Sequence, residues 1–559
     1  MLLNMEYDGY RIPCMCEKIM ILAMKLFPDL FHLTKPIGVS MISGDDNTRT
    51  VFPHSDSGIY QKDDVSIVLE NHQNQMHIRI SADTTPLSWV MIRFPMQLPT
   101  TARVYGDDWE RGYGTLCWGS ITPEKHMPWY FLCYDEAART LAGYGVMVRP
   151  GAMCVWHADG EGVTLYLDVR SGGMGVLLGG RTLDAATVIC REYENTDAFW
   201  GGHRFCCEMC PDPIFPKEPV YGSNNWYYAY GKSSHDEILT DSEYISELCE
   251  GLSNRPYMVI DDGWHDNPTA GPWDHGNPKF GDMGKLASEM KERGVKPGIW
   301  IRFLHDLDPQ IPDEWKSLRD ASVLDPSVPE VLDYVRVTAK RLVDWGYTLI
   351  KHDYSSFDMF GYYGMSMKTS ITNRGWHFRD RTKTSAEVVL GFYRAIREAA
   401  GDAVLIGCNT FSHLCAGLVE VNRTGDDTSG RYWDRTRKMG VNTLAFRMMQ
   451  NRAFYMADAD CIGITELVPW EQNRVWLKAL SRSGSPLFMS SAKGVAAAEM
   501  LPEIKEAFAY NAEQKDILVP VDWINDICPH IWLLNGEEIR FDWYTEDGFD
   551  ALNPIGNMI

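Results

Sequence analysis

Glu330-Val331-Leu332-Asp333-Tyr334-Val335-Arg336-Val337-Thr338-Ala339-Lys340-Arg341-Leu342-Val343-Asp344-Trp345, followed after Gly346-Tyr347 by Thr348-Leu349-Ile350-Lys351-His352-Asp353, is the stretch from which the fold follows. Apolar side chains recur at helical spacing up to Trp345; a short apolar run then takes over and ends in three ionisable residues. The same alternation of short apolar run and amphipathic stretch recurs about eight times from Tyr221 onward. Its strand candidates are Asn225–Tyr230, Tyr257–Asp261, Lys296–Arg302, Thr348–Asp353, Ala403–Cys408, Val419–Arg423, Phe454–Asp458 and Leu487–Ser490. Ala386–Ala399 and Glu471–Leu480 are further helical stretches between them. Eight such units over residues 221–513 predict a central (β/α)8 TIM barrel. A doubly wound sheet would want a Gly-rich phosphate loop after an early strand, and the sequence has none.

Upstream the rhythm is different. Val65–Leu69, His77–Ile80, Val90–Phe94 and Val163–Leu167 are short alternating runs broken by Gly, Asp and Pro, which predicts an N-terminal antiparallel β-sandwich over residues 38–204. Residues 1–37 form an N-terminal segment, and Phe205 to Pro219, with four prolines, reads as a linker extending over 205–220. After residue 513 the pattern returns to strands at Ile531–Leu534 and Ile539–Phe541, a short C-terminal β-domain over 514–559.

A chain of 559 residues with 45% hydrophobic content can build two or three cores. Its net charge of −23 argues against nucleic acid, which needs a basic face. Nineteen Trp and 26 Tyr suit a carbohydrate, whose C–H faces pack on aromatic rings. The run Ile19–Met24 is preceded by Glu6 and Asp8, interrupted by Lys25 and lacks a cleavage site, so no signal peptide is read there. With no apolar stretch of membrane-spanning length and 14 scattered cysteines, the expectation is a soluble, cytoplasmic protein with reduced thiols and no membrane partner.

In a barrel, function gathers where strands end. Five strand ends here are polar: Asp261-Asp262-Gly263-Trp264, Trp300-Ile301-Arg302, Lys351-His352-Asp353-Tyr354, Arg423-Thr424-Gly425-Asp426-Asp427 and Asp458-Ala459-Asp460. Two carboxylates about a scissile bond are the minimum equipment of a glycosidase, one ionised to attack and one protonated to release the leaving oxygen. Lys351 shares a strand face with Asp353 and is expected to keep it ionised, as a nucleophile requires. Asp427 is expected to have a raised pKa, from neighbouring Asp426 or a dry pocket, so that it carries the proton.

Gly222-Ser223-Asn224-Asn225-Trp226, Ile260-Asp261-Asp262-Gly263-Trp264, Lys296-Pro297-Gly298-Ile299-Trp300 and Ile350-Lys351-His352-Asp353 together resemble the barrel motifs of clan D retaining α-galactosidases, most closely glycoside hydrolase family 36, the melibiase type. The resemblance covers roughly residues 220–515, in order. It implies Asp353 as nucleophile and Asp427, the end of an Arg-x-x-x-Asp element, as acid/base, with Arg423 on the sugar 2-hydroxyl. It further implies that Asp261 and Asp262 bind the 4- and 6-hydroxyls of galactose and that Lys351, Trp300 and Cys408 complete the pocket. The implied activity is hydrolysis of terminal α-linked galactose through a covalent glycosyl-aspartate, on an oligosaccharide or glycoside, with no metal and no cofactor. An α-N-acetylgalactosaminide substrate, or transfer to another sugar, stays open on the same site. Typical members carry Pro-Glu soon after Gly-Ile-Trp, where this chain has Ile301-Arg302-Phe303-Leu304.

Other features take plainer readings. Asp426 competes with Asp427 for the acid/base role. Asp458 and Asp460 read as braces between strand ends, and the His203–Cys210 cluster lacks the spaced pairs of a zinc site. The run Asp107–Gly114 reads as a loop, either a solvated turn or one that reaches over the barrel mouth. Two other classes remain, a Schiff-base lyase using Lys351 and a non-catalytic sugar-binding barrel; intact Asp353 and Asp427 oppose the latter. The natural glycan, its linkage and whether the chain forms a homo-oligomer are not legible.

Overall fold

The computed structural model describes residue 27 and residues 36–44, 48–267, 269–513 and 516–543. Nearly all of the expected N-terminal segment, including the run Ile19–Met24, and the end of the C-terminal domain lie outside the described residues.

Alternation builds the N-terminal part as expected. In Val65–His72 the side chains of Val65, Ile67 and Leu69 are buried while the intervening ones are less so, and Gln75–Ala82 alternates in the same way. A six-stranded antiparallel sheet runs in the order 48–51, 38–43, 87–95, 162–168, 153–158, 127–128. A seven-stranded one runs 59–62, 65–72, 75–82, 182–193, 140–146, 130–135, 103–106. Their facing sides interdigitate, as where Phe131 meets Trp156 edge-on at 5.7 Å between ring centroids.

The expected linker gives way to a helix at its start. Ala198–Met209 is α-helical, capped by Asp197, whose carboxylate accepts from Trp200 N–H at 2.9 Å. Burial of Phe199, Phe205, Cys206 and Met209 holds it on the seven-stranded sheet, where a Cβ on Gly143 would lie 2.5 Å from the Phe205 ring. The prolines begin only after this helix, so the composition of 205–220 hid its last turn.

The second half is a barrel-like parallel sheet of nine strands: β1 (Tyr221–Asn224), β2 (Tyr257–Ile260), β3 (Lys296–Ile301), β4 (Leu349–His352), β5 (Val404–Gly407), β6 (Val421–Arg423), β7 (Met456–Asp458), β8 (Cys461–Gly463) and β9 (Leu487–Ser490). Their order is β7-β6-β5-β4-β3-β2-β1-β9-β8. The two outermost strands, β7 and β8, are separated in sequence by Ala459 and Asp460 alone. Helices Pro329–Asp344, Ser385–Ala400 and Trp470–Arg482 fall where the periodicity puts them. The first strand does not: Trp226–Ala229, inside the expected strand Asn225–Tyr230, is a helical turn ended by Tyr230 in the left-handed region, φ 46°. β1 lies upstream because Gly222 permits it, since a Cβ there would stand 1.9 Å from Tyr257 O on β2.

Val259, Leu349, Ile406, Val421, Met456 and Phe488 point into the sheet's concave side and form a separate apolar cluster. Two residues further along their strands come Asp261, Lys351, Arg423 and Asp458, so the period of two carries the inner face from an apolar plug to a polar rim. Leu518–Pro520, Ile531–Leu534 and Glu537–Arg540 make a three-stranded antiparallel sheet after the last helix. Among the described residues no helix is long and apolar enough to cross a membrane.

Candidate active site

Asp353 stands at the end of β4, its backbone N–H still bonded to Ile301 O at 3.0 Å. The chain then turns sharply through Tyr354, at φ 62°, a conformation costly for a bulky residue and concentrated at functional sites. That turn lets Tyr354 N–H donate to Asp353 Oδ1 at 2.7 Å, while Trp300 Nε1–H donates to Oδ2 at 3.1 Å. Both carboxylate oxygens are thus oriented by neutral donors. Trp300 is itself 1% exposed, its carbonyl accepting from Trp264 Nε1 at 2.9 Å, so it presents an indole edge to Asp353 from inside the core.

Lys351 lies within electrostatic reach of Asp353, but its hydrogen bond goes elsewhere. Its ammonium reaches across to β2 and donates to Asp261 Oδ2 at 2.7 Å. Burial pulls that ammonium toward its neutral form, but the Asp261 carboxylate opposes it and holds it charged. Sharing a strand face put Lys351 and Asp353 side by side without a hydrogen bond between them; the ammonium instead reaches past β3 to the end of β2. Asp261 also accepts from Asn224 Nδ2 at 2.7 Å and from Asp262 N–H at 2.9 Å. Asp262 bonds to His265 Nε2 at 2.8 Å, and that imidazole is buried against the Trp300 ring.

Beyond β6 the two neighbouring acids part company. Asp426 is buried with both oxygens engaged, Oδ1 by Arg111 at 2.8 Å and Oδ2 by Arg435 at 2.9 Å. Asp427 keeps 37% of its side chain exposed and accepts on Oδ1 only, from Arg111 Nη1 at 3.2 Å and Arg423 Nη2 at 3.1 Å. The expected upward shift of Asp427 is therefore reversed. Burial alone would raise its carboxyl, but Arg111, Arg423, Lys351 and Arg435 together hold it well below the usual carboxylate range. The sequence placed Asp426 beside it and could not show that Asp426 is already neutralised.

Asp460 is buried and saturated. It pairs with Arg423 Nη1 at 2.9 Å, and accepts from Thr428 N–H at 2.7 Å, from Thr428 Oγ1 and from the Tyr227 hydroxyl. It braces β6, β7 and the turn after β1. Asp458 accepts from Asp460 N–H at 2.8 Å, and burial, aided by Asp460 against Arg423, pushes its carboxyl up to about 6. Cys408, just past β5, is 2% exposed, and burial, then Asp353, drive its thiol strongly upward. Its sulfur accepts from Arg111 Nη1 at 3.9 Å. Arg302, in the segment that departs from the family pattern, is committed elsewhere, with Nε 3.0 Å from both oxygens of buried Asp358 and its guanidinium 4.2 Å above the Tyr354 ring.

Asp353, Asp261, Lys351, Cys408, Arg423 and Asp427 thus meet at one rim, with Asp262 and Trp300 bonded directly to members of that set. Below them a cavity of about 20 Å³, room for one water, is lined by Asn224, Lys351, Arg423, Asp458, Asp460 and Cys461. A roomier groove of about 530 Å³ lies on the outer face of the six-stranded sheet, but no carboxylate lines it. Arg111 was unassigned from sequence, although the loop that carries it, Asp107–Gly114, does cross to the barrel-like half. Gly112 pairs with Gly425 in a parallel bridge, and Glu110 accepts from Gly364 N–H at 2.7 Å. The signal was the density of polar and aromatic residues in a run that could not be a strand.

Several solved α-galactosidase structures share this fold. The enzyme from Thermus thermophilus, in complex with p-nitrophenyl α-D-galactopyranoside, superposes with a TM-score of 0.58 at 15% identity, over 90% of this chain and 98% of that one. A glycoside hydrolase family 36 α-galactosidase from Geobacillus stearothermophilus, in complex with 1-deoxygalactonojirimycin, gives 0.58 at 13% identity over 87% and 73%. The α-galactosidase from Lactobacillus brevis gives 0.52 at 12% identity over 89% and 76%. No protein-family model and no curated protein sequence matches the chain. The likeness is one of fold.

Proposed function

We propose that the protein is a glycoside hydrolase that acts with retention of configuration, with Asp353 as nucleophile and Asp427 as acid/base. Within that class we infer an α-galactosidase, which releases terminal α-linked galactose from an oligosaccharide or glycoside. The observation that carries the class is the contrast between the acids at the rim: Asp353 is oriented on both oxygens by neutral donors, and Asp427 alone in its charge network has an exposed side chain and an oxygen unengaged among the described residues. The same contrast favours Asp427 over Asp426. The shared fold with the Thermus and Geobacillus enzymes favours galactose.

In the first step a carboxylate oxygen of Asp353 bonds to the anomeric carbon as the glycosidic C–O bond breaks, and Asp427 gives its proton to the departing oxygen. In the second, water attacks that carbon, its proton passes to Asp427, and the bond to Asp353 breaks. The flanking cations favour ionised Asp427, the form the second step needs. Turning Arg423 to the sugar 2-hydroxyl removes one of the two cations on Oδ1, which lets the carboxyl take a proton for the first. Asp261, Asp262, Lys351 and Cys408 form the wall of the terminal-sugar site, and Trp300 acts there through Asp353. A Schiff-base lyase would need Lys351 as a neutral amine, and its pairing with Asp261 opposes that.

This reading includes closure of the parallel sheet as a (β/α)8 barrel, with β7 and β8 as two halves of its seventh strand, β7 pairing β6 and β8 pairing β9. It also keeps the division into sandwich, catalytic and C-terminal β-domains. The test is hydrolysis of 4-nitrophenyl α-D-galactoside, with the α-anomer of galactose appearing first by NMR. Asp353→Ala is expected to abolish turnover and a chelator to leave it unchanged. A wild-type protein inert toward this substrate and toward the α-N-acetylgalactosaminide would overturn the proposal.

A further inference from the structure

Arg111 enters the rim from outside the parallel sheet. Its loop is sewn to the segment after β6 by two backbone hydrogen bonds, Gly112 N–H to Thr424 O at 2.8 Å and Asp426 N–H to Gly112 O at 2.9 Å. The side chain is only 9% exposed, and its guanidinium ends on three groups at once: Asp426 Oδ1, Asp427 Oδ1 and the Cys408 sulfur. Six charges therefore alternate along one line: Arg435, Asp426, Arg111, Asp427, Arg423, Asp460. The end acids are closed off, since Asp426 spends both oxygens on arginines and Asp460 spends its second on Thr428 and Tyr227. Asp427, in the middle, is held by two cations on the same oxygen, and no hydrogen bond among the described residues ends on Oδ2.

A fork that grips one oxygen fixes the direction of the other, because a carboxylate is planar and its rotation is then blocked. We propose that Arg111, donated by the β-sandwich, is the positioning residue for Asp427: it pins Oδ1 so that Oδ2 is the oxygen that exchanges protons, and it sets how firmly that oxygen holds one. This rests on the glycosidase reading above. The proton that Oδ2 carries goes to the glycosidic oxygen as Asp353 takes the anomeric carbon, and Oδ2 recovers one from the attacking water as the bond to Asp353 breaks. Arg423 cannot do this alone, because it is shared with Asp460 and is the residue expected to turn to the sugar. Arg111, anchored by Asp426, has no such second duty.

The groups facing Asp427 come from every side: Arg111 from the sandwich, Arg423 on β6, Lys351 on β4, Arg435 from the turn Trp433–Thr436, and Asp426 beside it. Tyr227 and Tyr230 from the turn after β1, and Tyr354 after β4, also lie within electrostatic reach. Of these cations Arg111 is the one from the other half of the molecule, so a substitution there leaves the sheet's own charges in place.

The test uses Arg111→Gln, which is neutral but still donates, and Arg111→Lys, which keeps a charge but cannot fork. Each is assayed with methyl α-D-galactoside, whose alkoxide needs a proton to leave, and with α-D-galactosyl fluoride, whose fluoride does not. Arg111→Gln is expected to lose at least about 30-fold in kcat/KM on the methyl galactoside and less than about threefold on the fluoride. The alkaline limb of kcat/KM, which reports the protonated acid in the free enzyme, is expected to move up by about one pH unit or more in Arg111→Gln and by less than about half a unit in Arg111→Lys. Equal losses on the two substrates with an unmoved limb would show Arg111 to be structural only and overturn the inference. If Arg111→Gln does not fold, the substrate ratio in Arg111→Lys decides on the same criterion. Wild-type protein inert on both substrates would instead overturn the glycosidase reading, and this inference with it.

Discussion

Single side chains at the rim carry opposite protonation demands within a few ångströms. Asp458 is the plainest case, a carboxyl held up at about 6 by burial, with Asp460 as a like charge and Arg423 opposing. Its folded pKa lies above the ordinary unfolded value of about 3.9, so it binds its proton more tightly when folded. That contribution to stability is complete below about pH 4 and is lost as pH rises through about 6. The loss is on the order of 3 kcal/mol for a shift of about two units. Asp458→Asn is expected to become more stable relative to wild type by up to that amount between pH 4 and pH 7, read from urea unfolding at the two pH values. Lys351 shows where sequence reasoning at this scale stops. A period of two placed it on the inner face with Asp353, but the choice of Asp261 as its partner depends on the spacing between strands, which no single strand encodes.

At the scale of elements, strands and helices with strong periodicity were legible to within a residue or two. Pro329–Asp344 and Leu349–His352 sit almost where the pattern of Glu330–Asp353 puts them. The error at β1 arose because an aromatic run, Trp226-Tyr227-Tyr228, looks strand-like while the small residues of Tyr221–Asn224 do not, and only the latter can lie close against β2. The segment after β6 is the element on which both candidate acids depend. Gly425 lies between Arg423 and Asp426, and a Cβ there would stand 2.0 Å from Thr443 Oγ1. Gly425→Ala must therefore shift this segment or Thr443. A destabilisation of about 1–3 kcal/mol is expected by chemical denaturation, together with a fall in kcat of at least about 100-fold, because a displacement of about 1 Å is enough to misplace Asp427. Turnover within a few-fold of wild type would mean that the segment adapts without moving its acids.

Over the whole molecule the sandwich and the parallel sheet are joined by a seam to which the run 107–114 contributes. Asp107 and Arg447 form an ion pair across it at 3.0 Å with both side chains fully buried, and Gln450 Nε2 donates to the same carboxylate at 2.9 Å. Removing one partner leaves the other charge buried and unpaired, so Asp107→Ala is expected to cost about 3–5 kcal/mol. It is also expected to lower activity through the loop that carries Arg111. Calorimetry checks this: the melting temperature should fall, whereas an unchanged melt would mean the seam does not contribute to stability. Composition and periodicity by themselves determined the two antiparallel and parallel halves, their order, and the strand ends at which Asp261, Asp353, Arg423 and Asp427 stand, because each of these follows from local spacing along the chain. Tertiary structure alone decided which charges pair, that Asp426 is bound on both oxygens while Asp427 is bound on one among the described residues, and that an arginine more than 300 positions upstream holds it. Those outcomes depend on distances between segments remote in sequence, and electrostatics at 3 Å is settled by such distances rather than by residue type.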